Sequence, residues 1–490
     1  MYLMKKGIAL VLSIAMVLGL FGCQSKEIDS QSDGTTKDES KGFRAGDARV
    51  NITPSYSVPL AGYGNTSGRM SQGYLDYLYA TCIAVTDEND STVLLISLDL
   101  ISTRDSYLQD ARNAIAEATG ITADRIMVQA THTHSAPDMA STEPVIAQYK
   151  AELVNWIKEA AVAAMADRSP ATMHTGFGQT KGLSFVRHYL LDTGDIYGDN
   201  LTWPSGASYV GHTSEPDNEI QLLVFKREAA DKKDIMAVNW ACHPKMNSTS
   251  ETKEGLANRS KMSADFIGGC RDYIESKSDY LFAFYQGAAG NINPNSKIKD
   301  ETVTTDYKLY GRLLSTSILV GAENLTPVEG TAIKSTQQIY EAPIDKSEDH
   351  LLEEANIINT AWRENNDAKA AMALVPGTTI GSVYHASSIV SRSKQSGNRS
   401  MELNAISIGP VGFITAPYEM FDTNGMFIKE GSPFETTFVM TCANGANNYI
   451  AADYAFEKGG TYEVHNRVFP RGTAEDLANT YVEMLKRLKG

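Results

Sequence analysis

Short apolar runs of strand length recur along this 490-residue chain, and most are separated by stretches of helical length and pattern. Residues 92–98, 126–129, 220–225, 235–241, 280–285 and 436–442 are such runs. Residues 106–119, 145–166, 263–276, 305–325 and 473–488 read as helices. Unbroken apolar strands that alternate with helices predict an α/β fold, because only a sheet covered by helices buries both faces of its strands. The charged loop 226–234 predicts a hairpin between its flanking strands. Gly409-Pro410 predicts a strand–turn–strand over 405–415, and the charged segment 347–367 predicts a helix in an exposed lobe. No repeat and no proline-rich linker divides residues 43–490. We therefore expect one large α/β domain with a mixed sheet or sheets and flanking helices.

The first residues have a different character. Lys5 and Lys6 precede an apolar run, 7–20, that is shorter than the ~20 residues a membrane span needs. It ends in Leu20-Phe21-Gly22-Cys23, which resembles the lipobox of bacterial lipoprotein signals. That resemblance implies a cleaved signal at 1–22 and a lipid on the Cys23 thiol. Residues 24–42 are polar and read as a flexible tether running from Cys23. The expected location is outside the cytoplasm, anchored at the outer face of a bacterial cell membrane. The whole chain is acidic, with 44 Lys+Arg against 59 Asp+Glu, and has no basic stripe for nucleic acid. Cys82, Cys242, Cys270 and Cys442 form no C-x-x-C pair, and we expect buried free thiols.

Residues with chemical capacity collect where the apolar runs end. His132 and His134 follow the run at 126–129, and His243 follows the one at 235–241. Asn291 and Asn293 follow 280–285, Glu419 follows the strand at 405–415, and Tyr449 follows 436–442. Taken singly, His243 reads as a satisfied core histidine, Glu419 as a helix-start carboxylate and Tyr449 as a core tyrosine. Together they point to one site, because ligands in open α/β sheets bind beyond the carboxyl ends of strands. If the chain stays extended, His132 and His134 face the same side. Two histidines and a glutamate also make a catalytic zinc set that leaves a position for water.

These residues carry a resemblance. From about Gly46 onward the chain resembles the catalytic domain of the neutral ceramidases, the neutral/alkaline non-lysosomal family. The opening Asp47-Ala48-Arg49-Val50-Asn51-Ile52-Thr53-Pro54 and Pro59-Leu60-Ala61-Gly62-Tyr63-Gly64 look like that family's N-terminal signature, as does Ser97-Leu98-Asp99-Leu100. Thr131-His132-Thr133-His134-Ser135-Ala136-Pro137 is similar to its T-H-T-H-S-G-P segment. The resemblance implies one zinc ion held by His132, His243, Glu419 and Tyr449, with His134 lining the pocket as a proton shuttle. It also places Arg187, in Ser184-Phe185-Val186-Arg187, in the pocket. Asp99 is expected to orient a ligand histidine through its other ring nitrogen.

Two departures qualify the substrate. The family has a serine in a G-N/D-x-S-P-N segment, where this chain reads Gly290-Asn291-Ile292-Asn293-Pro294-Asn295. Asn293 cannot accept an acyl group, so it is expected to donate a hydrogen bond to an oxyanion instead. The family's immunoglobulin-like C-terminal domain has no counterpart in this sequence. The implied function is a zinc-dependent hydrolase of amide bonds, in ceramide or another N-acyl compound, that uses a metal-activated water. The alternatives are a lipid-anchored binding protein without catalysis, or a hydrolase of a smaller polar amide or ester.

Overall fold

The computed structural model describes residues 42–490 apart from 64–68, 200, 202–203, 249–252, 296, 299–300, 303 and 458. The expected signal at 1–22, Cys23 and the tether up to residue 41 lie outside the described residues.

β1 (Arg44–Asn51) pairs antiparallel with β2 (Tyr79–Thr86), and β2 with β3 (Thr92–Leu98). β3 then takes β4 (Ile126–Ala130) in parallel. A parallel pair needs a crossover, and helix α1 (Asp105–Thr119) supplies it. α2 (Pro144–Asp167) returns the chain to β5 (Ser169–Gln179). β6 (Glu219–Arg227) and β7 (Asp234–Trp240) form the expected hairpin. α3 (Phe266–Lys277) crosses to β8 (Tyr280–Gln286), which lies parallel to β7. The strand order is β8-β7-β6-β5-β1-β2-β3-β4. β3 and β4 are buried at every residue, which is why their sequences are unbroken apolar runs.

This sheet folds back on itself. Arg49, Thr81, Ser97 and Gln129 face one another in register across β1 to β4. Alternate carbonyls of β8 follow that same line: Phe282 accepts from Arg49 at 2.8 Å, Phe284 from Ser97 at 2.6 Å and Gln286 from Gln129 at 2.6 Å. β8 therefore runs crosswise over the other half of its own sheet, as strand twist accumulated over many strands allows. Its carboxyl end arrives beside the carboxyl end of β4.

α4 (Tyr307–Ala322) leads to a second sheet, β9 (Ile333–Pro343), β10 (Asn398–Ile408), β11 (Val411–Ala416) and β12 (Thr436–Thr441). β10 and β11 make the expected strand–turn–strand, and β12 is parallel to β11. The two sheets share a core that includes Met127, Tyr285, Phe413 and Phe438. α7 (Asp422–Gly431) and α8 (Thr473–Lys489) cover the second sheet, and a helical lobe lies in the chain between β9 and β10. That lobe holds α5 (Leu352–Asn365) and α6 (Val383–Ser393), packed through Ala355, Ile358, Trp362 and Ile389. The charged helix expected at 347–367 is therefore α5, preceded by a 3-10 turn at Asp349–Leu351. The lobe is tied to the body by ions: Asp345 takes Arg392 at 2.8 Å and Arg467 at 2.7 Å, and Glu348 takes the same two arginines at 2.6 and 2.7 Å. Cys82, Cys242, Cys270 and Cys442 are free and buried, as expected. Among the described residues, no helix is long and apolar enough to cross a membrane.

Candidate active site

β4 ends at Ala130, and the chain does not stay extended beyond it. Thr131 and His132 donate their N–H groups to Leu98 and Leu100, and His132 takes a φ of 71°. That left-handed conformation is uncommon for a residue with a Cβ and costs ~1–3 kcal/mol. The expectation of two histidines aligned along a strand is therefore replaced by a kink at His132. The kink still brings the His132 and His134 rings to 5.2 Å. The opening signature of the sequence clamps this turn: Leu60 bridges to Pro137, and Ala61 N–H donates to Ala136 at 3.0 Å. Gly62 has a φ of 112°, and a Cβ there would sit 2.6 Å from that of His134, so only glycine fits.

His243 follows β7 and is fully buried. Its Nδ1 lies 2.8 Å from the Ala289 carbonyl and 3.0 Å from that of Ile292. His132 Nδ1 lies 2.7 Å from the Ile101 carbonyl. A carbonyl only accepts, so each Nδ1 carries the proton and each Nε2 presents a lone pair. Glu419 and Tyr449 sit in register on two short parallel strands, Glu419–Met420 and Tyr449–Ile450. Glu419 Oε2 is 3.1 Å from His132 Nε2 and 3.4 Å from His243 Nε2. The Tyr449 hydroxyl is also 3.4 Å from His243 Nε2.

A metal ion fits this arrangement. Ligands ~2.0–2.1 Å from a tetrahedral centre lie ~3.3–3.4 Å from one another, close to the spacings observed. His132 Nε2 and Glu419 Oε2 are buried and lack any hydrogen-bond partner among the described residues. Facing each other at 3.1 Å, these two atoms are satisfied either by a proton on Nε2 or by a metal ion bound to both. His134 completes a buried three-histidine group whose ligand atoms all lie within 4.8 Å of one another. Neither of its ring nitrogens has a hydrogen-bond partner among the described residues. Burial, with His132 and His243 beside it, holds the His134 pKa well below the usual histidine range. Burial and the nearby Arg187 push His243 down to about 3. Burial opposes charge on Glu419, but His132 and His243 outweigh it and hold the carboxyl well below its usual range. His134 and His243 are thus neutral and Glu419 is a carboxylate, whereas on His132 burial is outweighed by Glu419 and Cys442, which raise its pKa well above the usual histidine range, so a metal bound there would displace a proton.

The site opens on a cavity of ≈ 680 Å³ lined by His132, His134, Glu419, Tyr449 and Arg187, among others. Arg187 is buried, with Nε 2.7 Å from Glu463 and NH2 2.9 Å from the Gly290 carbonyl. Its guanidinium lies 5.5 Å from the centre of the Tyr449 ring. Two expectations need correction. Asp99 does not touch a ligand histidine; it pairs with Arg271 at 2.8 Å and accepts the Tyr79 N–H at 2.9 Å. Backbone carbonyls orient the imidazoles in its place. Asn293 does not line the cavity. Its amide donates to Asp199 at 2.6 Å, and its oxygen lies 3.4 Å from Arg187, so it supports that arginine from behind.

Two glutamines that no motif or spacing singles out hold the strand ends together. Gln286 Nε2 donates to the Thr131 carbonyl at 3.0 Å and to the Cys242 carbonyl at 2.8 Å. These are the residues immediately before His132 and His243. Gln286 Oε1 accepts the Cys242 N–H, and its own N–H donates to Gln129 Oε1 at 3.0 Å. Gln129 in turn donates to Thr441 at the end of β12. Gln286→Leu leaves several buried backbone groups unpaired, each worth ~1–3 kcal/mol. We expect a lower urea midpoint and metal affinity weakened ~10–100-fold, as for other partners that orient ligands. Unchanged metal affinity in a folded Gln286→Leu protein would remove the glutamine from this role.

No protein-family model matches the sequence, and no curated protein matches it. Solved structures do match in fold. Neutral ceramidase from Pseudomonas aeruginosa superposes with a TM-score of 0.67 at 17% identity, covering 91% of this chain and 75% of that one. A ceramidase complexed with C2 superposes with a TM-score of 0.65, also at 17% identity and with the same coverage. The chain has the neutral ceramidase fold.

Proposed function

We propose that this protein is a zinc-dependent hydrolase of N-acyl amides that acts through a metal-activated water. The observation that carries the reading is the convergence of His132 Nε2, His243 Nε2, Glu419 Oε2 and the Tyr449 hydroxyl, with both imidazoles locked by carbonyls in the metal-binding tautomer. The ceramidases that share the fold support an amide as the substrate bond. A zinc ion held by these four residues would bring the pKa of a water towards ~7 and polarise the substrate carbonyl.

The chain's own residues supply the rest. His134, neutral and with both ring nitrogens unpartnered among the described residues, takes a proton from water and delivers it to the leaving nitrogen. The amide C–N bond breaks, giving a carboxylic acid and an amine. Arg187, fixed by Glu463, holds positive charge on the cavity wall where the carbonyl oxygen becomes negative. A serine-acyl route is closed because Asn293 has no nucleophile. Lipidation at Cys23 and export to the outer face of a bacterial membrane are part of the same proposal, and they rest on the sequence alone.

Elemental analysis of the purified protein tests the reading, joined to a screen of linear amides and esters. About one zinc per chain with turnover of at least one amide is the expected result. Metal-free protein after reconstitution, or zinc-loaded protein inert towards every amide, would count against it. His134→Ala should keep the metal and slow turnover ~10²–10⁴-fold.

A further inference from the structure

Ring contacts order the cavity wall around the metal donors. Tyr63 meets His134 edge-on, with ring centres 5.3 Å apart. The Arg69 guanidinium, 4.7 Å from the centre of the Tyr63 ring, holds it there, and its hydroxyl donates to the Lys245 carbonyl at 3.4 Å. On the other flank Tyr462 meets the donor Tyr449 at 5.8 Å, and Tyr384 meets Tyr462 at 5.3 Å, both edge-on. Tyr63, Tyr384 and Tyr462 all line the cavity. Tyr384 comes from the helical lobe. It lies in the first turn of α6, behind the Ser382 cap, and its ring also meets Trp362 of α5 at 5.3 Å. The lobe therefore supplies part of the active-site wall. The chemistry tells the two flanks apart. His134 delivers a proton to the leaving nitrogen, so the amine lies on the His134 flank, towards Tyr63. The carbonyl oxygen faces Arg187, whose guanidinium stands 5.5 Å from the centre of the Tyr449 ring and 6.0 Å from that of Tyr462. A trigonal carbon with its nitrogen on the His134 flank turns its acyl bond away from Tyr63. On the Tyr449 flank that group meets the rings of Tyr462 and Tyr384, which offer broad apolar surface.

We propose that Tyr384 of the helical lobe sets the acyl specificity of this site: the acyl group of the substrate packs on its ring, and the departing amine packs on that of Tyr63. The proposal rests on the amide-hydrolase reading above, and its test separates the two. The zinc-loaded full chain is assayed on two pairs of amides. N-hexanoylbenzylamine against N-acetylbenzylamine varies the acyl group, and N-hexanoylbenzylamine against N-hexanoylmethylamine varies the amine. Tyr384→Ala is expected to cut the hexanoyl-to-acetyl ratio of kcat/KM about tenfold, chiefly through KM, and to leave the benzyl-to-methyl ratio unchanged. Tyr384→Phe keeps the ring and should keep both ratios. Tyr63→Ala is expected to lower the benzyl-to-methyl ratio and leave the hexanoyl-to-acetyl ratio unchanged. Tyr384→Leu retains apolar bulk against Trp362; should the alanine variant not fold, the leucine variant must still lower the acyl ratio. An unchanged acyl ratio in the Tyr384 variants overturns the proposal and leaves the hydrolase reading standing. So does a uniform fall in kcat on all the amides, which marks a structural role through Tyr462. A shift of the amine ratio by Tyr384→Ala and of the acyl ratio by Tyr63→Ala reverses the two flanks and also overturns it. If none of the amides is turned over, hexanoic acid is titrated calorimetrically into the same proteins. Weaker binding to Tyr384→Ala than to wild type and Tyr63→Ala then overturns the hydrolase reading and keeps the acyl wall. Equal binding, or none, overturns both.

Discussion

Replacing His243 with alanine is expected to leave the protein without its metal ion and without measurable amide hydrolysis. The imidazole is fully buried, and its Nε2 lies 3.4 Å from both Glu419 and Tyr449, so it touches two of the other three donors. Its loss removes a ligand outright, so the effect should exceed the ~10–100-fold penalty of changing a residue that only orients one. His132→Ala should match it in metal content. His132 offers a further control, because its φ of 71° strains any residue with a Cβ. His132→Gly relieves that strain while removing the ligand. We therefore expect His132→Gly to lose metal and turnover while resisting urea better than His132→Ala. The check is elemental analysis of the three variants beside wild type, with denaturation of each in the presence of chelator. Stoichiometric metal in His243→Ala would sink the four-donor site.

Much of the site was legible because it lies where apolar runs stop. His132, His243, Glu419 and Tyr449 each follow a strand whose sequence is unmistakably buried, and the fold brings those ends together. The strands that escaped sequence reading include β2, although it is buried at every residue but Tyr79, and several with weak apolar signals. β1 holds Arg44, Asp47, Arg49 and Asn51, yet it is central in the large sheet, because partners absorb its charge: Arg49 binds Glu275 at 2.6 Å. β5 is interrupted by glycines, and β9 is largely polar. The crosswise packing of β8 over β1 to β4 was equally hidden. It is written in contacts between residues far apart in sequence, such as Gln129 with Gln286, and no local period reports them. Asp99 misled for a related reason. It stands at a strand end near the histidines, but Arg271 of α3 reaches it first. Its partner could not be read from spacing.

The second large effect concerns Glu463, a residue that spacing gave no reason to notice. It is fully buried and accepts from Arg187 Nε at 2.7 Å and pairs with NH2 at 2.6 Å, while His188 Nε2 lies 2.9 Å from its other oxygen. Glu463→Ala is expected to cost ~3–5 kcal/mol, because the Arg187 guanidinium stays buried without its counter-charge. Burial opposes ionisation of Glu463, but Arg187 and His188 outweigh burial and hold its pKa well below the usual carboxylate range. The sign of the pH dependence follows. A carboxyl with a lowered folded pKa contributes stability that is present above its unfolded value of ~4.3 and is lost as pH falls through the folded value. The stability gap between wild type and Glu463→Gln should therefore be widest near neutral pH and narrow below pH ~4. Urea denaturation of wild type, Glu463→Ala and Glu463→Gln at pH 7 and in acid reads both effects. If the Glu463→Gln protein folds, it should keep its metal yet hydrolyse amides more slowly, because Arg187 loses the partner that fixes it on the cavity wall. A gap that widens in acid, or a Glu463→Ala protein as stable as wild type at pH 7, would show that Arg187 is held by Gly290 and Asn293 without the glutamate.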